Sequence, residues 1–315
     1  MMMTKPSLLQ LCPFSPVLEE QLRETFDVCR LFELGDADAD AWLNAHGAAV
    51  RAIATGGHLG APAALVERLP ALGIIAINGV GFDKVDLDVA RRRGIRVTTT
   101  PNTLTDDVAD LAIGLVIALL RGIVASDGHV RAGRWEQGER PLGRKVSGRR
   151  FGIVGLGQIG SAIAARLSAF GPVLYTDLAE KAVPYAFVPD LKTLAERSDV
   201  LVLASAASAA TFHLIDETIL EALGADGYLV NVARGSLVDE AALIAALQDG
   251  RIAGAALDVF ADEPRVPSAL TDIPHLVLTP HIASATVETR RRMAELVIEN
   301  LRAYVDGAAL PSALV

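Results

Sequence analysis

The chain has little with which to build a disulfide framework, bind nucleic acid or cross a membrane. Only two cysteines, Cys12 and Cys29, stand among its 315 residues. That is too few for a framework and shows no metal-ligand spacing, so they read as buried thiols and no metal is expected. Lysine and arginine (29) are outnumbered by aspartate and glutamate (38), and no basic run relieves the net charge of −9. This argues against nucleic acid or an anionic membrane as partner. It leaves room for a small anion, for which a few local cations suffice. Long apolar runs are missing as well: Leu111 to Leu120 is bounded by Asp110 and Arg121, too short to span a bilayer. The first residues carry one lysine, then Pro6 and an apolar run broken by Gln10. That makes a poor signal peptide and a good first strand, and a cytoplasmic protein is expected. Internal repeats and low-complexity segments are absent from the sequence.

What is present is ample apolar sequence, 51% of residues, in a length that suggests about two domains. In the first hundred residues short apolar runs (Ser7 to Cys12, Asp27 to Phe32, Ala49 to Ala54, Gly73 to Ile77, Ile95 to Thr99) alternate with helical patterns (Leu18–Phe26, Ala39–His46, Pro62–Leu69, Leu87–Arg93). Such alternation implies βαβ units and a parallel sheet. Two turns, Thr55-Gly56-Gly57 and Asn78-Gly79-Val80-Gly81, follow strands, where open α/β sheets bind ligands. Pro101 marks a boundary before an acidic helix start at Thr105 to Asp107. The polar stretch Ala125 to Gly148, with Trp135 and Leu142 as its main large apolar residues, reads as a mobile loop or an arm laid on a partner subunit. Thr286 to Val305 reads as a last helix that returns to the first domain. The expected division is 1–99 plus 286–315 for the substrate-binding domain and 100–285 for the dinucleotide-binding domain.

The organising stretch is Arg150 to Gly160. A strand, Phe151 to Val154, runs into Gly155, Gly157 and Gly160 at G-x-G-x-x-G spacing, and a helical pattern through Ile159, Ile163, Leu167 and Phe170 follows, with Gly171 as its expected cap. The first glycine permits the turn, the second lets backbone approach a pyrophosphate, and the third lets helix pack on strand. Asp177, about 20 positions on at the end of the next strand, can accept from a ribose hydroxyl. No arginine follows it and the nearest cation is Lys181, so NAD is favoured over NADP.

Three ionisable residues follow strands of the same region: Arg234, Glu263 and His281. Here the motifs carry a resemblance. Gly155-Leu-Gly-Gln-Ile-Gly160, Asn231-Val-Ala-Arg-Gly235, Asp258-Val-Phe-Ala-Asp-Glu-Pro264 and Thr279-Pro-His-Ile-Ala283 resemble the D-isomer-specific 2-hydroxyacid dehydrogenases. The segment Thr98 to Asp110 is most similar to the glyoxylate/hydroxypyruvate reductase branch. The resemblance implies two Rossmann-like α/β domains with parallel sheets and a cleft between them, the substrate domain being flavodoxin-like. It implies hydride transfer between NAD(P)H and a small anionic 2-keto acid to give a D-2-hydroxy acid. Arg234 would orient the substrate, His281 would act as general acid–base and Glu263 would orient the ring and favour the imidazolium. Val80 and Gly81 would hold the carboxylate. Gly155, Leu156, Gly157, Gln158, Ile159, Gly160, Asp177, Val232, Ala233 and Asp258 would line the cofactor, Asp258 meeting the nicotinamide amide. A homodimer with the Trp135 segment on the partner is also implied. The loop Ser205 to Thr211 departs from the family pattern, which usually has a proline there. The competing readings are a non-catalytic dinucleotide sensor on the same fold, since fold alone does not set function, and formate oxidation, which the glutamate partner fits poorly.

Overall fold

The computed structural model describes residues 5–315, so the reading of the N-terminal segment falls partly, at 1–4, outside the described residues. The chain forms two compact units, one from the chain up to Thr103 together with Thr286–Val315, the other Leu104–Ala285.

In the first unit, strands β1 (Ser7–Gln10), β2 (Asp27–Arg30), β3 (Val50–Gly56), β4 (Ile74–Asn78) and β5 (Arg96–Thr98) alternate with helices α1 (Pro16–Thr25), α2 (Asp36–His46), α3 (Ala63–Glu67) and α4 (Leu87–Arg93). The strands pair in parallel in the order β2-β1-β3-β4-β5, the flavodoxin-like arrangement, whose order reverses between β1 and β3. Residues 52–57 and Ile74 to Ile77 are buried without alternation because helices cover both faces of the sheet. Local chemistry sets the helix ends. The Ser15 hydroxyl accepts from Leu18 N–H to start α1, Asp86 caps α4, and Gly94 closes α4 at φ 66.

In the second unit, α5 (Thr105–Arg121) and α6 (Ile123–Arg131) precede β6 (Phe151–Val154), α7 (Gln158–Leu167), β7 (Val173–Thr176), β8 (Ala186–Phe187), α8 (Leu191–Glu196), β9 (Val200–Leu203), α9 (Glu217–Leu223), β10 (Tyr228–Asn231), α10 (Glu240–Gln248), β11 (Gly254–Leu257), α11 (Ser268–Thr271) and β12 (Leu276–Leu278). All seven strands run parallel in the order β12-β11-β10-β9-β6-β7-β8, so the order reverses at β6. This is the doubly wound Rossmann arrangement. Leu201, Leu203, Leu229, Leu243 and Ala255 are fully enclosed in its core. Each such leucine contributes about 1.5–3 kcal/mol by leaving water. The final helix α12 (Val287–Val305) belongs to the first unit, where Ala294, Val297, Ile298 and Leu301 pack against Leu8, Ala52, Ala54, Ile74 and Ala76. Among the described residues no single helix is long and apolar enough to cross a membrane.

Three local expectations are corrected. Helix α7 ends at Leu167, so Phe170 lies beyond it. Gly171 does not cap it in the left-handed region; a Cβ there would collide with the Arg149 carbonyl oxygen, so close approach is what requires glycine. The stretch Ala125 to Gly148 begins as helix, since α6 continues to Arg131 and a 3-10 turn follows at Arg134–Gln137. Strand β8, two residues long, carries too little apolar sequence to be legible.

Candidate active site

The glycine turn after β6 sits where the strand order reverses, the position at which such sheets bind nucleotides. Gly155 adopts φ 88, and a Cβ on it would press into Ser205, which follows β9. At Gly160 a Cβ would collide with the Gly155 carbonyl oxygen, so the third glycine is what lets α7 close onto the turn. Gly157 differs: a Cβ there would meet only open space within 4 Å. The second glycine thus leaves the turn open on that side, with room for a ligand to approach its backbone. Leu156 is buried, Ile159 half-buried and Gln158 exposed. The first N–H groups of α7 have no intrahelical acceptor and suit a phosphate. Ser205 adds a buried Oγ with no hydrogen-bond partner. These features fit a dinucleotide.

Asp177 directly follows β7 and opens the turn after it. Its Oδ2 accepts from Leu156 N–H at 2.9 Å and Oδ1 from Leu178 N–H at 2.7 Å. Lys181 Nζ lies 2.7 Å from Oδ2 and also donates to the Leu156 carbonyl at 2.6 Å. Burial works against the Asp177 charge, but the Lys181 ammonium and the Leu178 and Leu156 N–H groups outweigh it and hold the carboxyl below the usual aspartate range. The next side chain, Leu178, is fully exposed.

Arg234, Glu263 and His281 follow β10, β11 and β12, three neighbouring strands about 4.8 Å apart. The turn carrying Arg234 is braced by Asn231, which is fully buried: its Oδ1 accepts from Ala233 N–H and its Nδ2 donates to the Arg234 carbonyl. The guanidinium donates to the Ala233 carbonyl at 2.8 Å, while Val232 is buried beside it. Gly235 has no room for a side chain, because a Cβ would collide with the Phe260 carbonyl group. That contact joins the Arg234 turn to the segment bearing Glu263, whose Oε1 accepts from Phe260 N–H at 3.0 Å. Glu263 Oε2 lies 2.7 Å from His281 Nδ1. His281 is itself held at φ 52, unusual for a residue with a side chain.

Asp258 explains how that backbone is kept. Its Oδ1 accepts from Thr279 Oγ1 at 2.6 Å and Ile282 N–H at 2.8 Å, and its Oδ2 from Ala283 N–H at 3.0 Å. The Asp258 carbonyl accepts from His281 N–H at 2.8 Å. Asp258 has no exposed surface. These contacts make Asp258 the brace of the His281 turn. The expectation did not include the bracing by Asn231, Gly235 and Asp258. Their places in the motifs were visible, but what they hold together is long-range.

Val80 and Gly81 lie in the first unit, half-buried in the turn after β4. A Cβ on Gly57 would come 2.9 Å from the Gly81 carbonyl oxygen, so the two glycine turns after β3 and β4 pack on each other as one surface.

Comparison with known proteins adds the following. The family model for "D-isomer specific 2-hydroxyacid dehydrogenase, NAD binding domain" matches residues 113–283. A 2-ketogluconate reductase from Gluconobacter oxydans is 46% identical over 311 residues, 98% of each chain. A 2-hydroxyacid dehydrogenase from Ketogulonicigenium vulgare superposes with TM-score 0.90 at 47% identity, covering 99% of both chains. An NADPH-dependent glyoxylate/hydroxypyruvate reductase from Sinorhizobium meliloti, solved with NADP and malonate, superposes with TM-score 0.90 at 40% identity, covering 99% of this chain and 97% of the other.

Proposed function

This chain belongs to the D-isomer-specific 2-hydroxyacid dehydrogenase family, and from that premise we propose which residues carry its reaction. It is an NAD(P)-dependent oxidoreductase of the CH–OH group, interconverting a small 2-keto acid and a D-2-hydroxy acid. Bound NAD(P)H supplies the hydride. The observation that carries the residue assignment is the 2.7 Å contact between His281 Nδ1 and Glu263. With Nδ1 committed to the carboxylate, Nε2 is the nitrogen that delivers a proton to the new alkoxide in reduction and removes it in oxidation. Glu263 fixes the orientation of the ring. Arg234, a planar fork on a braced turn, takes the keto acid's carboxylate and carbonyl. Val80 and Gly81 offer backbone N–H groups to the same carboxylate. A dinucleotide sensor would have no use for the histidine–glutamate pair, and the relatives compared are named as reductases and a dehydrogenase.

Substrate recognition is assigned to 1–99 with 286–315, and cofactor binding to 100–285 through Gly155 to Gly160 and Asp177. NADH is the preferred cofactor. The Asp177 carboxylate would repel a 2′-phosphate, and the exposed Leu178 would offer one nothing. Glyoxylate and hydroxypyruvate are the proposed substrates, by likeness to the Sinorhizobium enzyme. A homodimer is proposed through the segment from Ile123 to Leu142, on which Ile123, Val124, Val130, Trp135 and Leu142 are all exposed. The test is turnover of a panel of 2-keto acids with NADH and NADPH, in the wild type and in His281→Ala. Activity should fall about 100-fold or more in the variant. Undiminished turnover there would remove His281 from the mechanism.

A further inference from the structure

The five-stranded sheet has its own reversal point, between β1 and β3, and one residue there is unexplained by the reaction as described. Arg290 lies in the first turn of α12, four residues before Ala294, so the two share a face. Ala294 is packed in the core against the sheet, which directs Arg290 along the same stripe toward the helix start. Its electrostatic neighbour is Cys12, which follows β1 at the carboxyl end of the sheet. Gly56, at the carboxyl end of β3, completes the group: its backbone N–H faces the Cys12 thiol, and a Cβ on it would lie 3.4 Å from Cys12 Sγ. Cys12 and Gly56 therefore flank the switch point, and Arg290, at the start of α12, is near enough to Cys12 for their charges to interact. Gly57, the next residue, carries the contact with Gly81 in the turn proposed to hold the substrate carboxylate.

Among the described residues the Arg290 guanidinium has no hydrogen-bonded or ion-paired partner, whereas Arg292, two residues on, pairs with Glu295 and Glu299. Arg290 is half-buried, and burial lowers its pKa, opposed only by Cys12. The thiol supplies no counter-charge at neutral pH, because burial pushes its own pKa up to about 11. The helix dipole also disfavours a cation in the first turn. An arginine that is partly desolvated, unpaired and at the wrong helix end costs stability unless a ligand completes it. The ligand in question is an anion or a hydrogen-bond acceptor that reaches the switch point of the substrate unit.

We propose that Arg290 is a specificity-determining residue, a second cation that holds oxygen atoms on the tail of the 2-keto acid, so that substrates with a hydroxyl or carboxylate at carbon 3 or beyond are preferred. This rests on the reading of the chain as a 2-keto-acid reductase, in which Arg234 and the Val80–Gly81 turn take the primary carboxylate. The guanidinium's five donors suit such a tail, since neighbouring oxygens can be bridged by one planar group.

The test is steady-state kinetics at saturating cofactor with four substrates. Glyoxylate and pyruvate carry no tail oxygen; hydroxypyruvate and 2-ketogluconate do. Wild type should prefer hydroxypyruvate to pyruvate. In Arg290→Met and Arg290→Gln, kcat/KM for the hydroxylated pair should fall about 10- to 100-fold, mainly through KM, as expected for a lost charge-assisted hydrogen bond. Glyoxylate and pyruvate should stay within about threefold, NADH affinity should hold, and Tm without substrate should hold or rise. Arg290→Lys, which keeps the charge and loses the fork, should discriminate to an intermediate degree and serves alone if the other two do not fold. Equal losses on all four substrates would overturn the proposal, for the guanidinium would then hold the shared carboxylate or the fold. Unchanged discrimination would overturn it too. A wild type that reduces none of the four would instead strike at the reductase reading itself.

Discussion

Replacing Asp177 by serine tests the cofactor assignment where its electrostatics are most exposed. Two unit charges 4 Å apart interact by about 1 kcal/mol in water and about 4 kcal/mol at the effective dielectric of a protein surface. A 2′-phosphate beside the Asp177 carboxylate would fall in that range if the carboxylate stood alone. It does not: Lys181 lies 2.7 Å from Oδ2 and cancels part of the field. The remaining discrimination is about 1–2 kcal/mol, roughly 5- to 30-fold in favour of NADH. Asp177→Ser removes the repulsion and the ribose acceptor together and frees Lys181, so the ratio of kcat/KM for NADH over NADPH should fall to about one or below. Lys181→Met should act in the opposite sense, leaving the carboxylate unscreened and widening the preference. The assay is initial rate against each reduced cofactor at saturating keto acid, repeated at high salt, where both effects should shrink. A wild type that strongly prefers NADPH, or an Asp177→Ser ratio equal to the wild-type ratio, refutes the reasoning. The first result would mean that Lys181 or a residue outside this turn holds the phosphate.

Other perturbations follow from the same geometry. Glu263→Gln removes the carboxylate that holds His281 Nδ1 at 2.7 Å and orients the ring, so kcat for reduction should fall at least about tenfold while NADH affinity holds; an unchanged kcat would dissolve the pair. Gly160→Ala places a Cβ against the Gly155 carbonyl oxygen, and NADH affinity measured by fluorescence should fall at least about tenfold, a small price for so close a clash, while keto-acid KM is spared. Asp199 accepts from Arg150 N–H at 2.7 Å and pairs with its side chain at 2.8 Å; burial opposes the Asp199 charge but Arg150 outweighs it and holds the carboxyl below the usual range. A depressed folded-state value stabilises above the unfolded value of about 4 and ceases to do so as pH falls through the folded value, so Asp199→Asn should cost about 1 kcal/mol in urea melts at pH 7 and progressively less in acid. Light scattering at micromolar concentration should show a dimer that Trp135→Glu weakens; a wild-type monomer would remove the proposed interface.

The strands β1, β3, β4 and β6 were legible because each is an apolar run covered on both faces and bounded by turn residues. The glycine turn was legible because backbone requirements are local: Gly155 needs positive φ wherever it occurs, and Gly160 tolerates no side chain. The order of Arg234, Glu263 and His281 along the chain was equally plain, since each follows its own strand.

Tertiary structure decided what distant segments do to one another. That Gly171 is glycine because of the Arg149 carbonyl, that Gly235 abuts Phe260, and that Asp258 holds the His281 turn are contacts across loops whose closure no periodicity encodes. The same holds for charge. Asp177 and Lys181 are four residues apart, but only the folded turn shows that the ammonium also binds the Leu156 carbonyl and so screens the carboxylate. Arg290 is one of three consecutive arginines in the sequence. It is set apart by where α12 docks, because this guanidinium is partly taken out of water near a buried thiol while Arg292 reaches its glutamates.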